Sequence, residues 1–224
     1  MNIGALRVLA VQEVAVAPGL RHVEIYTMGG LMTMLWHGRA DAERVVVLGG
    51  GAMGGLLGPA DGLYHDLGVA LADADVGAIR VGYRRPNDLP ACVGDMAAAA
   101  MLAERNGAER FISVGHSFGG AVAVGVALEP SPVAASVVGV VTLSTQSAGC
   151  EDAGGLHGRP LLLVHGDADD ILPVWASEVV HQIAGGHGEL RILPGASHLL
   201  RENGASELLR SLLPEWIGGV FAGR

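Results

Sequence analysis

The stretch Gly115-His116-Ser117-Phe118-Gly119 tolerates few structural surroundings. It follows a short apolar run, Phe111-Ile112-Ser113-Val114, and leads into residues 121–128, an apolar segment that reads as a buried helix. The pattern is G-x-S-x-G. A serine at the tip of a strand-to-helix turn has strained backbone angles, and the residues two positions away must be small for the chain to double back. Glycines at 115 and 119 meet that demand and leave the Ser117 hydroxyl standing at a sheet edge. The following helix aims backbone N–H groups and the positive end of its dipole at whatever reacts there. The same residues also describe a plain small-residue turn that happens to contain serine, so the motif needs support from the rest of the chain.

That support begins with the alternation of elements. Residues 22–27 and 31–36 flank Gly29-Gly30, the pattern of a β-hairpin. Val45-Val46-Val47-Leu48 is a continuous apolar run suited to a strand buried on both faces. Beyond it, strands are expected at 78–83, 111–114, 137–143, 160–165 and 189–193, and helices at 62–72, 92–106, 121–128, 175–184 and 202–221. A hairpin followed by repeated strand–helix units implies an α/β fold: a mostly parallel, twisted sheet of about seven or eight strands with helices on both faces. Residues 1–224 are read as a single domain, with 1–20 as an N-terminal extension.

Composition narrows the partners. Half of the residues are hydrophobic and 17% are charged, enough apolar material for a core on each side of a sheet. Fourteen basic against 23 acidic residues give a net charge of −9, and aromatics are only 4%, so no nucleic acid is expected as a partner. Arg7, Gln12 and Glu13 interrupt the apolar N-terminus before it resembles an export signal. No run of about 18 apolar residues occurs, so no membrane partner is expected and a cytoplasmic location is the default. In that setting Cys92 and Cys150 are expected as thiols rather than a disulfide. The acidic residues lack ligand spacing and no H-E-x-x-H occurs, so neither metal nor cofactor is expected.

Two further stretches give the serine company. The strand at 160–165 runs into His165-Gly166-Asp167-Ala168-Asp169-Asp170, and Leu193-Pro194-Gly195-Ala196-Ser197-His198 places a histidine in a loop before the last helix. The chain order is Ser, Asp, His, all at the carboxyl ends of parallel strands, where side chains converge. With these three motifs the sequence resembles the α/β-hydrolase family, in particular its compact dienelactone-hydrolase-like and small esterase members, over about residues 20–222.

The resemblance implies a nucleophile at Ser117, an acid at Asp169 and a general base at His198. Asp167 and Asp170 are adjacent rivals for the acid; the motif register favours Asp169. An oxyanion hole would take one donor from Phe118 N–H and a second from Gly51 or Ala52, although Gly49 stands where the family often has histidine. Residues 144–159 are too few for a cap domain, so the site is expected to be open. Ala52, Met53, Phe118, Gln146 and Ser147 would line its mouth, with Met53, Gln146 and Ser147 touching substrate, while Phe118 alternatively packs beneath the helix. The implied partner is a small-molecule substrate, an ester, lactone or thioester cleaved through an acyl-enzyme; transfer to another alcohol would use the same residues. Acetyl to butyryl esters are expected to be preferred.

Two other readings fit parts of the chain. A protein of this fold with an intact Ser-His-Asp set can simply bind a ligand. Gly49-Gly50-Gly51-Ala52-Met53-Gly54 also matches G-x-G-x-x-G, and the next strand ends at Tyr83-Arg84-Arg85, as in an NADP-dependent oxidoreductase. Gly58-Pro59 and Gly62 interrupt the helix that reading needs, and it leaves Ser117, Asp169 and His198 unexplained. Arg84 and Arg85 are expected as solvated charges or as contacts for a substrate carboxylate. His181 and His187 are expected at the surface, whereas His116 and His165 are expected to pack or hydrogen-bond within their motifs.

Overall fold

Consecutive apolar residues of the central strands pack into opposite layers. Val45 and Val47 join one buried cluster, with Ile79, Phe111 and Leu163, while Val46 and Leu48 join the other, with Ile112, Val114 and Leu162. That two-residue period makes a strand apolar on both faces the centre of a three-layer protein.

The computed structural model describes residues 6–130, 132–202 and 204–223. In chain order the elements are β1 (Val8–Ala17), β2 (Leu20–Thr27), β3 (Gly30–His37), β4 (Arg44–Gly49), α1 (Pro59–Asp73), β5 (Gly77–Gly82), α2 (Leu89–Arg105) and β6 (Arg110–His116). They continue as α3 (Phe118–Leu128), α4 (Pro132–Ser136), β7 (Val137–Leu143), β8 (Leu161–Gly166), α5 (Trp175–Ile183), β9 (Glu189–Leu193) and α6 (Ala205–Phe221). One sheet holds the strands in the order β1-β2-β3-β5-β4-β6-β7-β8-β9. The first three strands and the β3–β5 pair are antiparallel; every later pair is parallel. Residues of α2, α3 and α5 pack in the cluster of Val45, and residues of α1 and α6 in the cluster of Val46.

The α/β class and the mostly parallel sheet stand as the sequence implies, with nine strands rather than seven or eight. The added strand is β1, which lies within the expected N-terminal extension. Nine of its ten residues are exposed, so it has no buried face and leaves no in–out pattern to read; residues 1–5 of that extension lie outside the described residues. At α1, Ala60, Asp61 and Gly62 have positive φ (50, 55 and 99°), so regular helix begins at Leu63. Cys92 and Cys150 are free and buried. Among the described residues no helix is long and apolar enough to cross a membrane.

Candidate active site

The turn between β6 and α3 is built by backbone contact. Ser117 has φ 58° and ψ −125°, a left-handed conformation for a non-glycine residue. A Cβ at Gly115 would overlap the Gly119 carbonyl, and a Cβ at Gly119 would overlap the Gly50 carbonyl of the loop after β4. The two glycines are therefore required by close approach, both within the turn and between the turn and that loop. Ser117 N–H bonds the Leu143 carbonyl at 2.8 Å, which ties the turn to β7. Phe118 opens α3, so its N–H has no intrahelical acceptor.

The loop from Gly49 to Gly58 covers one side of the serine. Buried Tyr64 donates to the Gly49 carbonyl at 2.8 Å and Tyr83 to the Gly50 carbonyl at 3.3 Å. Of the glycines in this loop, Gly51 is the one that borders the nucleophile: a Cβ built on it would sit 3.6 Å from Ser117 Cβ. Two tyrosines that the sequence did not single out thus hold the glycine loop against the turn.

Asp169 and His198 meet at the other side. His198 Nδ1 lies 2.7 Å from Asp169 Oδ2, and the aspartate side chain is fully enclosed, whereas that of His198 is 12% exposed. Asp169 Oδ1 accepts Ile171 N–H at 2.9 Å and Leu172 N–H at 2.8 Å. Burial alone would raise this carboxyl, but the Leu172 N–H, His198 and the Ile171 N–H outweigh it and hold it below the usual carboxylate value. The rival acids are placed elsewhere: Asp170 is exposed, and Asp167 Oδ1 accepts Gly195 N–H at 2.6 Å, clamping the acid loop to the histidine loop.

The histidine loop is pinned at three further points. The Leu199 carbonyl accepts Ala60 N–H at 2.7 Å, Ser197 donates to Glu202, and His116 Nε2 lies 3.0 Å from the His198 carbonyl. Burial pushes His116 down to about 4, against the pull of that carbonyl, so the ring is neutral and donates Nε2–H.

Ser117, His116 and His198 open into one cavity of about 400 Å³, lined also by Gly51, Ala52, Met53, Leu57 and Leu199. Met53, 93% exposed, stands at its mouth. One sequence expectation needs correction here, and the structure decides between the two placements open for Phe118. Gln146 and Ser147 do not line this cavity: the Gln146 amide donates to the Ala148 carbonyl at 2.8 Å, folding onto its own loop. The Phe118 side chain, 5% exposed, packs in the core beneath α3, leaving only its backbone toward the site. The wall is instead the segment 54–58 with Leu199. Arg84 is committed to buried Asp95, with its Nε 2.5 Å from Asp95 Oδ1, and neither Arg84 nor Arg85 lines the cavity.

The dinucleotide reading loses its helix. β4 ends at Gly49 and α1 begins only at Pro59 with left-handed residues, so the helix that the fingerprint requires does not start inside the glycine run. Among the described residues no group of three or more His, Cys, Asp or Glu is placed to hold a metal ion.

Compared by sequence, the chain matches no protein-family model and no curated protein. Compared by structure, it resembles an α/β serine hydrolase homologue from Coxiella burnetii, at 18% identity and TM-score 0.68, over 87% of this chain and 95% of that one. It is similarly close to a dienelactone hydrolase from Anabaena variabilis (18% identity, TM-score 0.66, 93% and 97% covered). A third likeness is to Est1E from Butyrivibrio proteoclasticus (15% identity, TM-score 0.67, 88% and 99% covered). Only a loop with one 3₁₀ turn, Ala153–Leu156, joins β7 to β8. With that sheet, that turn at Ser117 and no cap domain among the described residues, the chain has the fold of the compact α/β serine hydrolases.

Proposed function

We propose that the protein is a serine hydrolase that cleaves small, uncharged carboxylic esters, lactones or thioesters through an acyl-enzyme. One observation carries the reading: His198, bonded to the enclosed Asp169 at 2.7 Å, shares a cavity with a serine held in a left-handed turn. Asp169 accepts from Nδ1, so the lone pair of His198 lies on Nε2. Ser117 Oγ attacks the carbonyl carbon as His198 Nε2 takes its proton, and the carbonyl π pair moves onto oxygen. Phe118 N–H and the N–H of Gly51 or Ala52 receive that oxyanion, each donor worth about 3 kcal/mol in such sites. Collapse of the adduct expels the alcohol or thiol, protonated by His198, and leaves acyl-Ser117. Water then repeats the sequence and frees the acid.

A fluorophosphonate tests this. It should label the wild-type protein at Ser117, shown by the mass of the active-site peptide, and fail to label Ser117→Ala. Labelling at another residue, or none in the wild type, would sink the proposal.

The cavity also sets an expected preference. Its lining carries no Lys, Arg, Asp or Glu, and its mouth at Met53 is open. Each added methylene contributes about 0.8 kcal/mol only where it is fully covered. The kcat/KM of neutral esters should therefore peak from acetyl to butyryl and stay flat or fall beyond, and an acyl group bearing a carboxylate should react at least ~10-fold more slowly, since no cation offsets its desolvation. A steady rise to dodecanoyl, or a preference for the carboxylate ester, contradicts this account.

A further inference from the structure

The cavity wall runs from Gly58 into α1 through three consecutive left-handed residues, Ala60, Asp61 and Gly62, of which only the glycine adopts that conformation freely. In the loop after His198, buried Leu200 is left-handed as well, with φ 54°. Such residues persist only where their surroundings hold them, and they cluster at functional sites. One hydrogen bond joins the two strained segments: Ala60 N–H, a first-turn donor without a helical partner, reaches the Leu199 carbonyl at 2.7 Å. The neighbouring carbonyl, that of His198, is the one that His116 holds. Two successive carbonyls of the histidine loop are thus pinned, one from the serine turn and one from the left-handed turn.

The left-handed turn is itself held from α6. The Tyr64 N–H, which a regular helix would give to the Ala60 carbonyl, reaches the Leu57 carbonyl at 3.0 Å, and Arg210 Nη2 donates to Ala60 at 2.9 Å. Two anchors aim the guanidinium: Nε donates to Asp66 Oδ2 at 2.8 Å and Nη1 to the Ser206 carbonyl at 3.1 Å. The planar fork of arginine serves all three acceptors at once. Arg201 and Asp61, paired at 2.8 Å, add little because both are exposed. We propose that Arg210 is a positioning residue: it clamps the left-handed turn, so that Ala60 N–H keeps the histidine loop against Ser117. The proposal rests on the reading of Ser117, His198 and Asp169 as a catalytic set. Without the clamp, the strain at Ala60 and Asp61 is relieved by turning their backbone away, and the Leu199 carbonyl loses its donor.

Arg210→Met keeps the apolar stem and removes the donors. At a temperature where circular dichroism shows the protein folded, it should lower kcat and the rate of fluorophosphonate labelling by about 10–100-fold, the loss expected from a small displacement of a catalytic group. Arg210→Lys should lose most of the same activity, since one nitrogen cannot span Asp66, Ser206 and Ala60, and it carries the test if the methionine variant does not fold. Asp61→Gly is the diagnostic partner, because glycine keeps the turn left-handed without backbone strain. In that background the loss caused by Arg210→Met should shrink to about threefold or less, a coupling that a residue serving global stability alone would not show. Wild-type kcat in Arg210→Met, or an equal loss with and without Asp61→Gly, overturns the proposal.

Amide hydrogen exchange supplies an arm that needs no turnover. In Arg210→Met the Ala60 amide should exchange at least ~10-fold faster relative to the amides of β6 than it does in the wild type. An unchanged ratio overturns the clamp. Because this arm requires no substrate, a protein that fluorophosphonate fails to label defeats the hydrolase reading while the clamp is still decided.

Discussion

Asp169→Asn should lower kcat by at least ~10³-fold while the protein keeps its fold, because the change inverts the hydrogen bonding at His198. Ile171 and Leu172 N–H both point at Oδ1, so the amide oxygen of an asparagine belongs there. The amide nitrogen then takes the place of Oδ2, 2.7 Å from His198 Nδ1. A donor at that position needs an acceptor opposite, so His198 carries its proton on Nε2 and can no longer take one from Ser117. Asp170→Asn, at an exposed position, should change kcat by less than about threefold. Asp167→Asn keeps an oxygen for the Gly195 N–H and should also act weakly. Steady-state kinetics on the three proteins, with near- and far-UV circular dichroism to confirm folding, decide the assignment. A large loss in Asp170→Asn with a mild one in Asp169→Asn would place the acid one residue on.

The contrast among these three aspartates shows what the sequence holds and what it does not. G-x-S-x-G was legible because its glycines answer a local backbone demand: the Gly115 and Gly119 positions have no room for a Cβ. The order of strands and helices was legible because burial on both faces imposes continuous apolar runs such as 45–48. The edge strand β1 was not, since it buries neither face. Nor was the cleft wall. Gln146 follows a strand end, as a wall residue would, but its amide finds a carbonyl two residues on, and local sequence does not announce that competition. The tyrosines that hold the Gly49 and Gly50 carbonyls come from α1 and from the residue after β5, separations of 15 and 33 residues, and only the packed fold brings them together. His165 and His116 sat in plain view inside their motifs. Which atom each ring meets depended on the neighbouring loops.

The second large effect expected is on stability in mild acid. His116 and His37 are both buried, at 6% and 2% exposure, and both are pushed down from 6.5 to about 4. Burial is the leading cause in each; Arg80 and then His65 add to it at His37. Between pH 6.5 and 4 the unfolded chain binds a proton at each histidine and the folded protein does not, so stability falls as pH falls through that window. One proton over 2.5 pH units corresponds to about 3 kcal/mol at His116. Asp169, held low by its donors, adds a loss of the same sign only below about 3.8. Asp95 opposes, because burial raises its carboxyl and the folded protein retains that proton to higher pH. A difference between variants removes the opposing contribution. Urea unfolding of wild type and His116→Gln, in steps from pH 7 to pH 4, should show the variant with a slope shallower by one proton and the two curves drawing together by about 3 kcal/mol. Parallel curves would mean that His116 takes up its proton in the folded protein over the same pH range as in the unfolded chain. The ring would then be charged below about 6.5, and a charge 4.9 Å from the His198 imidazole, ring centre to ring centre, would oppose in mild acid the proton that His198 has to accept from Ser117.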